Sequence, residues 1–101
     1  MKVKAAFIFV APETNPEEHF SVIDTPVIEL TTIGVSNYEQ AVDVAKALVD
    51  KGVQCLELCA GFGHEGVAAI SSAVKGKASV GVVRFDSHPG FEYKSGDVLF
   101  K

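Results

Sequence analysis

The feature that most limits the fold of this chain is its alternation of apolar, β-rich segments with helix-start patterns. Residues 4–10 (KAAFIFV) form a nearly continuous apolar run, which is typical of a strand buried on both faces. Further β-rich segments cover residues 27–35, 53–58 and 78–85. Such alternation favours a mainly parallel sheet with helices packed against it.

Three helices are predicted between these strands. The first begins at Asn15 in Asn-Pro-Glu-Glu, in which asparagine can cap a helix and proline suits the first helical position. It must be short, because Pro26 biases Thr25 out of the helical region. The second begins at a capping box in residues 36–39, continues with apolar residues at helical spacing, and ends before Gly52. The third covers residues 66–74.

The predicted fold is α/β, with four mainly parallel strands in βαβαβαβ order and a single domain over residues 1–101. This order fits a small flavodoxin-like open sheet and fits half of a (βα)8 barrel equally well. Residues 91–101 could form a C-terminal hairpin around Lys94-Ser-Gly-Asp, or an arm that pairs with another subunit. A half-barrel has open edges that need a partner, so we expect a homo-oligomer.

Charge and composition exclude several classes of protein. The net charge is −4 and Arg84 is the single arginine, so the basic face that nucleic-acid binding usually needs is missing. No stretch approaches membrane-spanning length, and the first apolar run lacks a convincing signal-peptide cleavage site. Cys55 and Cys59 would lie about 13 Å apart along one strand, too far for a disulfide. Free thiols without a secretion signal suggest a cytoplasmic protein.

The segment LCAGFGHEG, residues 58–66, carries glycines spaced G-x-G-x-x-G between a predicted strand and a predicted helix. This spacing matches the dinucleotide fingerprint, and Asp86 supplies the acidic residue about 20 positions later. However, Glu65 lies beside the position of a pyrophosphate, and the second mononucleotide-binding half is missing. No cofactor is therefore predicted. A phosphate or carboxylate at the helix N-terminus fits better, and the alternative is a tight turn whose glycines permit close packing.

Ligands of open parallel sheets bind beyond the carboxyl ends of the strands, where the polar residues of this chain concentrate. The predicted ligand-binding residues are Ser36, Gly61, Gly63, Gly66 and Arg84. The candidate catalytic residues are Glu57, Cys59, His64 and Asp86. Cys59 could be a nucleophile with His64 or His88 as its base, because a nearby helix N-terminus lowers the pKa of a thiol. Alternatively, Cys59 is a small hydrophobic residue in a buried strand.

Glu57 is unusual because it lies in Cys-Leu-Glu-Leu-Cys, a segment predicted to be a central strand. Buried glutamates are rare unless they are paired. Arg84 on the neighbouring predicted strand is a natural partner. Their pair could be structural, or it could face a cavity in which Arg84 holds a carboxylate or phosphate.

Metal binding is a further alternative, and its candidate ligands are Cys59, His64, Glu65, Asp86 and His88. Neither C-x-x-C nor H-E-x-x-H is present, so no metal site is predicted. The sequence thus favours a small-anion site at the carboxyl edge of the sheet, with or without catalysis. The first alternative is a non-catalytic homo-oligomeric or partner-binding module, and the second is a metal-binding protein.

A resemblance to a known family rests on four segments of the chain. These are residues 4–12 (KAAFIFVAP), 31–35 (TTIGV), 57–66 (ELCAGFGHEG) and 81–86 (GVVRFD). Together they resemble a family of short prokaryotic proteins catalogued as a domain of unknown function. The resemblance covers most of the chain up to Asp86, and it implies no assigned activity and no catalytic residues.

Overall fold

The computed structural model describes residues 2–85 and 87–101, which form a five-stranded mixed sheet and three α-helices. The strands are β1 (Val3–Val10), β2 (Phe20–Asp24), β3 (Ile28–Val35), β4 (Cys55–Leu58) and β5 (Ser79–Val82). The helices are α1 (Tyr38–Asp50), α2 (His64–Ala73) and α3 (Gly96–Leu99), and a 3-10 turn covers Pro89–Phe91. The strand order is β2-β3-β1-β4-β5.

The four predicted strands are present and parallel to one another, as β1, β3, β4 and β5. Strand β1 lies between β3 and β4, whereas a half-barrel would place consecutive strands side by side in chain order. The half-barrel alternative is therefore wrong. The order of the four parallel strands is the one found in flavodoxin-type open sheets.

The prediction of a short first helix that begins at Asn15 is wrong. Asn15 does cap a turn, since its side chain accepts a hydrogen bond from the backbone N–H of Glu17 and its carbonyl accepts from Glu18. The turn ends there, because the following residues form β2, which pairs antiparallel with β3. Pairing with β3 thus outweighs the local preference of these residues for a helix. As a result, the predicted βαβαβαβ order is wrong, because three strands precede α1.

The core lies between one face of the sheet and the helices α1 and α2. Alternate strand residues such as Ile8, Leu56 and Leu58 point into it and are fully buried. Helix α1 begins one residue later than its capping box predicts, because the side chain of Asn37, not that of Ser36, accepts the capping hydrogen bond. Gly52 lies just past α1 with a φ of +99°, as predicted for a left-handed cap.

The other face of the sheet carries no helix within the described residues, and we name it the open face. It consists of the odd-numbered residues of β1, β2, β4 and β5 and the even-numbered residues of β3, as the strand register shows. The β1-to-β3 connection contains β2 instead of a helix that could cover this face. Glu57 lies on the open face and is exposed, so the prediction that it is buried is wrong.

The C-terminal segment folds back onto its own chain, and α3 takes the place of the predicted hairpin around Lys94-Ser-Gly-Asp. Pairing of this segment with another subunit stays a prediction. An isolated bridge joins His88 and Lys94, and α3 then packs against α2. Phe100 is buried against the rings of Tyr38 and Phe91, with ring centroids 6.4 and 5.3 Å apart. None of the helices in residues 2–85 and 87–101 is long and apolar enough to cross a bilayer.

Candidate functional site

The amino end of α2 is the centre of the predicted anion site, and the chain's own tail occupies it. Gly63 caps α2 without a side chain, so the first N–H groups of this helix need acceptors from elsewhere. The N–H of Glu65 donates to both carboxylate oxygens of Asp97, at 3.0 and 3.2 Å, and the N–H of Gly66 donates to Oδ1 at 3.4 Å. An internal carboxylate thus lies where an anionic ligand was predicted.

Tyr38 at the start of α1 completes this arrangement. Its hydroxyl donates a hydrogen bond to Asp97 at 2.8 Å and accepts one from the N–H of Gly63 at 2.9 Å. Its ring stacks on Phe62 with centroids 5.6 Å apart. Burial raises the pKa of Tyr38, and the neighbouring Asp97 carboxylate raises it further, against the opposing effect of the Gly63 N–H.

Asp97 is held in its charged form. Desolvation alone would raise the pKa of its carboxyl group, but the hydrogen bonds from Glu65, Tyr38 and Gly66 outweigh that effect and lower the pKa below its ordinary value. The helix dipole of α2 favours the same negative charge. Ser95 fixes the start of α3 by accepting a hydrogen bond from the N–H of Asp97 at 3.1 Å.

Close packing accounts for the glycines of this region. A Cβ at Gly66 would lie 2.5 Å from the Tyr38 ring, and a Cβ at Gly63 would overlap the Asp97 carboxylate. In α3, a Cβ at Gly96 would overlap the carbonyl oxygen of Gly61. These contacts favour the alternative in which the glycine spacing permits tight packing.

His64 and Arg84 come together at this edge of the sheet. Nη2 of Arg84 lies 3.0 Å from Nδ1 of His64 and also contacts Nε2, and both side chains are exposed. Asp86, the third predicted residue of this edge, lies outside the described residues. The structure therefore brings together two of the predicted site residues beside the amino end of α2.

Cys59 is half-buried at the end of β4, and its sulfur accepts a hydrogen bond from the N–H of Gly61 at 3.3 Å. Within the described part of the chain, it makes no hydrogen bond to His64 or His88. The ring of His88 instead accepts from the N–H of Gly90 at 3.0 Å and stacks on Phe91. The predicted nucleophile–base pair is thus not assembled in this conformation.

The two remaining predicted residues lie apart from the α2 terminus. Glu57 lines a surface pocket of about 210 Å³ with Gly81 and Val83, and it has no ion pair to Arg84 among the described residues. Ser36 donates from its hydroxyl to Oε1 of Gln40 at 3.0 Å.

Across residues 2–85 and 87–101, no three His, Cys, Asp or Glu side chains are grouped to hold a metal ion.

Sequence reasoning missed Tyr38 and Asp97 as residues of this site. Tyr38 was expected only as a helix residue, and Asp97 only as part of a turn. One indication was available: a helix that begins at glycine has no side-chain cap of its own, so its N–H groups need an acceptor from another segment.

A protein-family model matches residues 3–98 of the chain. The chain belongs to the family of unknown function DUF6506. The predicted resemblance to a family of unknown function is thereby confirmed. No curated protein and no solved structure gives a significant match to the chain.

The open face is the second candidate site of this DUF6506 protein. Val3 is 45% exposed on the central strand, and Val83, which continues the alternation of β5, is 53% exposed. Glu57 is the only charged residue among the strand positions that form this face. An apolar surface with so few charges is typical of the centre of a protein–protein interface.

Proposed function

We propose that this DUF6506 protein is a non-catalytic module that binds a second copy of itself through the open face. The observation that carries the proposal is the placement of α1 and α2 on one side of the sheet, which leaves the other side without a helix. A sheet whose two faces are both apolar needs a second layer, and two copies can provide it by packing face to face at about 10 Å.

The size of the open face supports a second copy as the occupant. Roughly 30 strand residues, spaced about 3.3 Å along and 4.8 Å between strands, give a flat area of roughly 450 Å². Apolar patches of about 300–600 Å² on monomers are often functional. A standard interface buries about 800 Å² on each partner. Protruding side chains and the loops beside the sheet would raise the buried area from the flat value towards that size.

The test is the mass of the protein in solution, measured by light scattering after gel filtration. Val3→Lys and Val83→Lys each place a charge on the open face, so both should halve the mass of the assembly while the far-ultraviolet circular dichroism stays native. Val98→Lys is the matched control, because Val98 is exposed on α3, away from the sheet. A wild-type monomer, or variants that keep the wild-type mass, would refute the proposal.

A small-anion site is the second candidate, and the contact between His64 and Arg84 supports it. An arginine beside a helix N-terminus is suited to phosphate. This candidate predicts that phosphate raises the melting temperature of the wild-type protein and that Arg84→Ala removes the effect. Equal ionic strength in sodium chloride is the control, and an Arg84→Ala variant that still responds would exclude Arg84 from the site.

A further inference from the structure

We infer that the free edge of β2 pairs antiparallel with β2 of a second copy of this chain, centred on Val22. Strand β2 is at the edge of the sheet, and all five of its residues are exposed. Its apolar side chains include Phe20 at 57%, Val22 at 49% and Ile23 at 58% exposure. It contains no proline or lysine, the residues with which proteins commonly protect an edge strand.

The hydrogen bonds to β3 show which backbone groups of β2 point outward. The N–H of Gly34 donates to the carbonyl of His19 at 2.9 Å, and the N–H of Thr25 donates to the carbonyl of Ile28 at 2.8 Å. In an antiparallel ladder, hydrogen-bonded pairs alternate with non-hydrogen-bonded pairs. The two bonds above therefore lie next to non-hydrogen-bonded pairs, in which the N–H and C=O groups of each residue point away from the partner strand.

The flanked pairs are Phe20 with Ile33 and Asp24 with Glu29. Since the pattern alternates along the strand, the N–H and C=O groups of Phe20, Val22 and Asp24 point away from β3. The free edge therefore offers three donors and three acceptors at alternate positions.

These six groups are symmetric about Val22. A two-fold axis through this residue sets Val22 opposite its own copy and Phe20 opposite Asp24 of the second copy. Every outward N–H then meets an outward carbonyl, so six hydrogen bonds can form across the junction. This is the self-complementarity that an isologous two-fold interface requires, so a second copy can satisfy every outward backbone group of this edge.

Charge does not oppose this pairing. The only charged side chain of β2 is Asp24, and it already forms an ion pair with Lys2 of its own chain at 2.5 Å. The central side-chain pair, Val22 with its own copy, is apolar and β-branched, which is a favourable cross-strand pair. The inference goes beyond the proposed function, because edge pairing and face-to-face packing use different surfaces and would together give a tetramer.

The test compares Val22→Pro with Val22→Thr by light scattering. Proline removes the central outward N–H and is tolerated at the solvent-facing positions of an edge strand, so Val22→Pro should halve the mass. Val22→Thr keeps the N–H and the β-branched shape, so it should leave the mass unchanged. A Val22→Pro variant with the wild-type mass would overturn the inference.

Hydrogen exchange of the wild-type protein gives a second measurement that needs no folded variant. Edge pairing predicts slow exchange at the amides of Phe20, Val22 and Asp24, and the exchange should become faster as the protein is diluted. Fast exchange at every concentration would overturn edge pairing. Val3→Lys separates the two interfaces. A Val22 amide that stays protected in this variant supports edge pairing: a lower mass then means that both interfaces form, and an unchanged mass means that only the edge does. A lower mass with fast exchange at Val22 identifies the open face alone and overturns the inference.

Discussion

The hydroxyl of Tyr38 donates a hydrogen bond to Asp97, although 59 positions separate the two residues in the chain. This bond joins the first turn of α1 to the C-terminal helix α3. Through the N–H groups of Gly63 and Glu65, the same two side chains also cap α2. One pair of residues therefore connects three helices by hydrogen bonds at the carboxyl edge of the sheet.

Replacing Asp97 by alanine should lower the free energy of unfolding by about 1–3 kcal/mol, because it removes the cap of α2 and leaves its N–H groups unsatisfied. Urea unfolding followed by circular dichroism measures the change. Asp43→Ala is the matched control, since Asp43 is exposed on α1, and it should change stability by less than about 0.5 kcal/mol. Equal effects of the two substitutions would show that Asp97 is not a structural cap.

The contribution of Asp97 should depend on pH in a defined direction. Its pKa is lower in the folded protein than its ordinary value, so the folded state favours the charged form. The stabilisation is therefore fully present above the ordinary aspartate pKa of about 4 and is lost as the pH falls through the lower folded value. Unfolding wild-type protein and Asp97→Asn from neutral to acidic pH should show their stabilities converging in acid. A constant difference would contradict the assignment.

Removing the Asp97 carboxylate from the amino end of α2 should allow added anions to stabilise the protein. In Asp97→Ala, the N–H groups of Glu65 and Gly66 lose their carboxylate acceptor, and a helix N-terminus with free N–H groups attracts phosphate or sulfate. We expect phosphate to raise the melting temperature more in Asp97→Ala than in the wild-type protein. Sodium chloride at equal ionic strength controls for screening, and an equal response of both proteins would count against a shared position for carboxylate and phosphate.

Much of the fold could be predicted because its determinants are local. Apolar runs and capping residues placed β1, β3, β4, β5, α1 and α2 close to their observed bounds. Strand β2 could not be predicted in the same way, because residues 15–18 favour a helical turn and only pairing with β3 makes residues 20–24 extended. The exposure of Glu57 follows from this, since β2 replaces the helix that would have covered the open face.

The candidate site was only partly predictable from the sequence, because it also depends on a contact between distant segments. The glycine segment at residues 61–66 was correctly placed at a strand-to-helix turn, and its amino end does bind a carboxylate. That carboxylate belongs to Asp97, whose position depends on how the tail folds back across α2. A contact between segments about 30 residues apart leaves no spacing pattern in the sequence.

The tight packing around Tyr38 predicts a sharp difference between two glycines. Gly66→Ala should lower the free energy of unfolding by about 1–3 kcal/mol, because its Cβ would lie 2.5 Å from the Tyr38 ring and force a shift. Gly81→Ala is the control, since nothing lies within 4 Å of a Cβ built at that position. Because Gly81 lies on the open face, both substitutions are compared in the Val3→Lys variant, where Gly81→Ala should be neutral within about 0.5 kcal/mol. Urea unfolding compares the two, and a neutral Gly66→Ala would refute the packing explanation of this glycine.

The lone carboxylate on the open face leads to the last prediction. If two copies pack through this face, Glu57 loses water without gaining a partner from the strand positions of its own chain, which costs about 1–3 kcal/mol. Glu57→Leu should therefore tighten the dimer, lowering its Kd about tenfold, as measured by analytical ultracentrifugation. Glu39→Leu on α1 adds a leucine away from this face and should leave the Kd unchanged. A weaker Glu57→Leu dimer would instead mean that the carboxylate makes a favourable contact across the interface, contrary to the apolar docking proposed for this face.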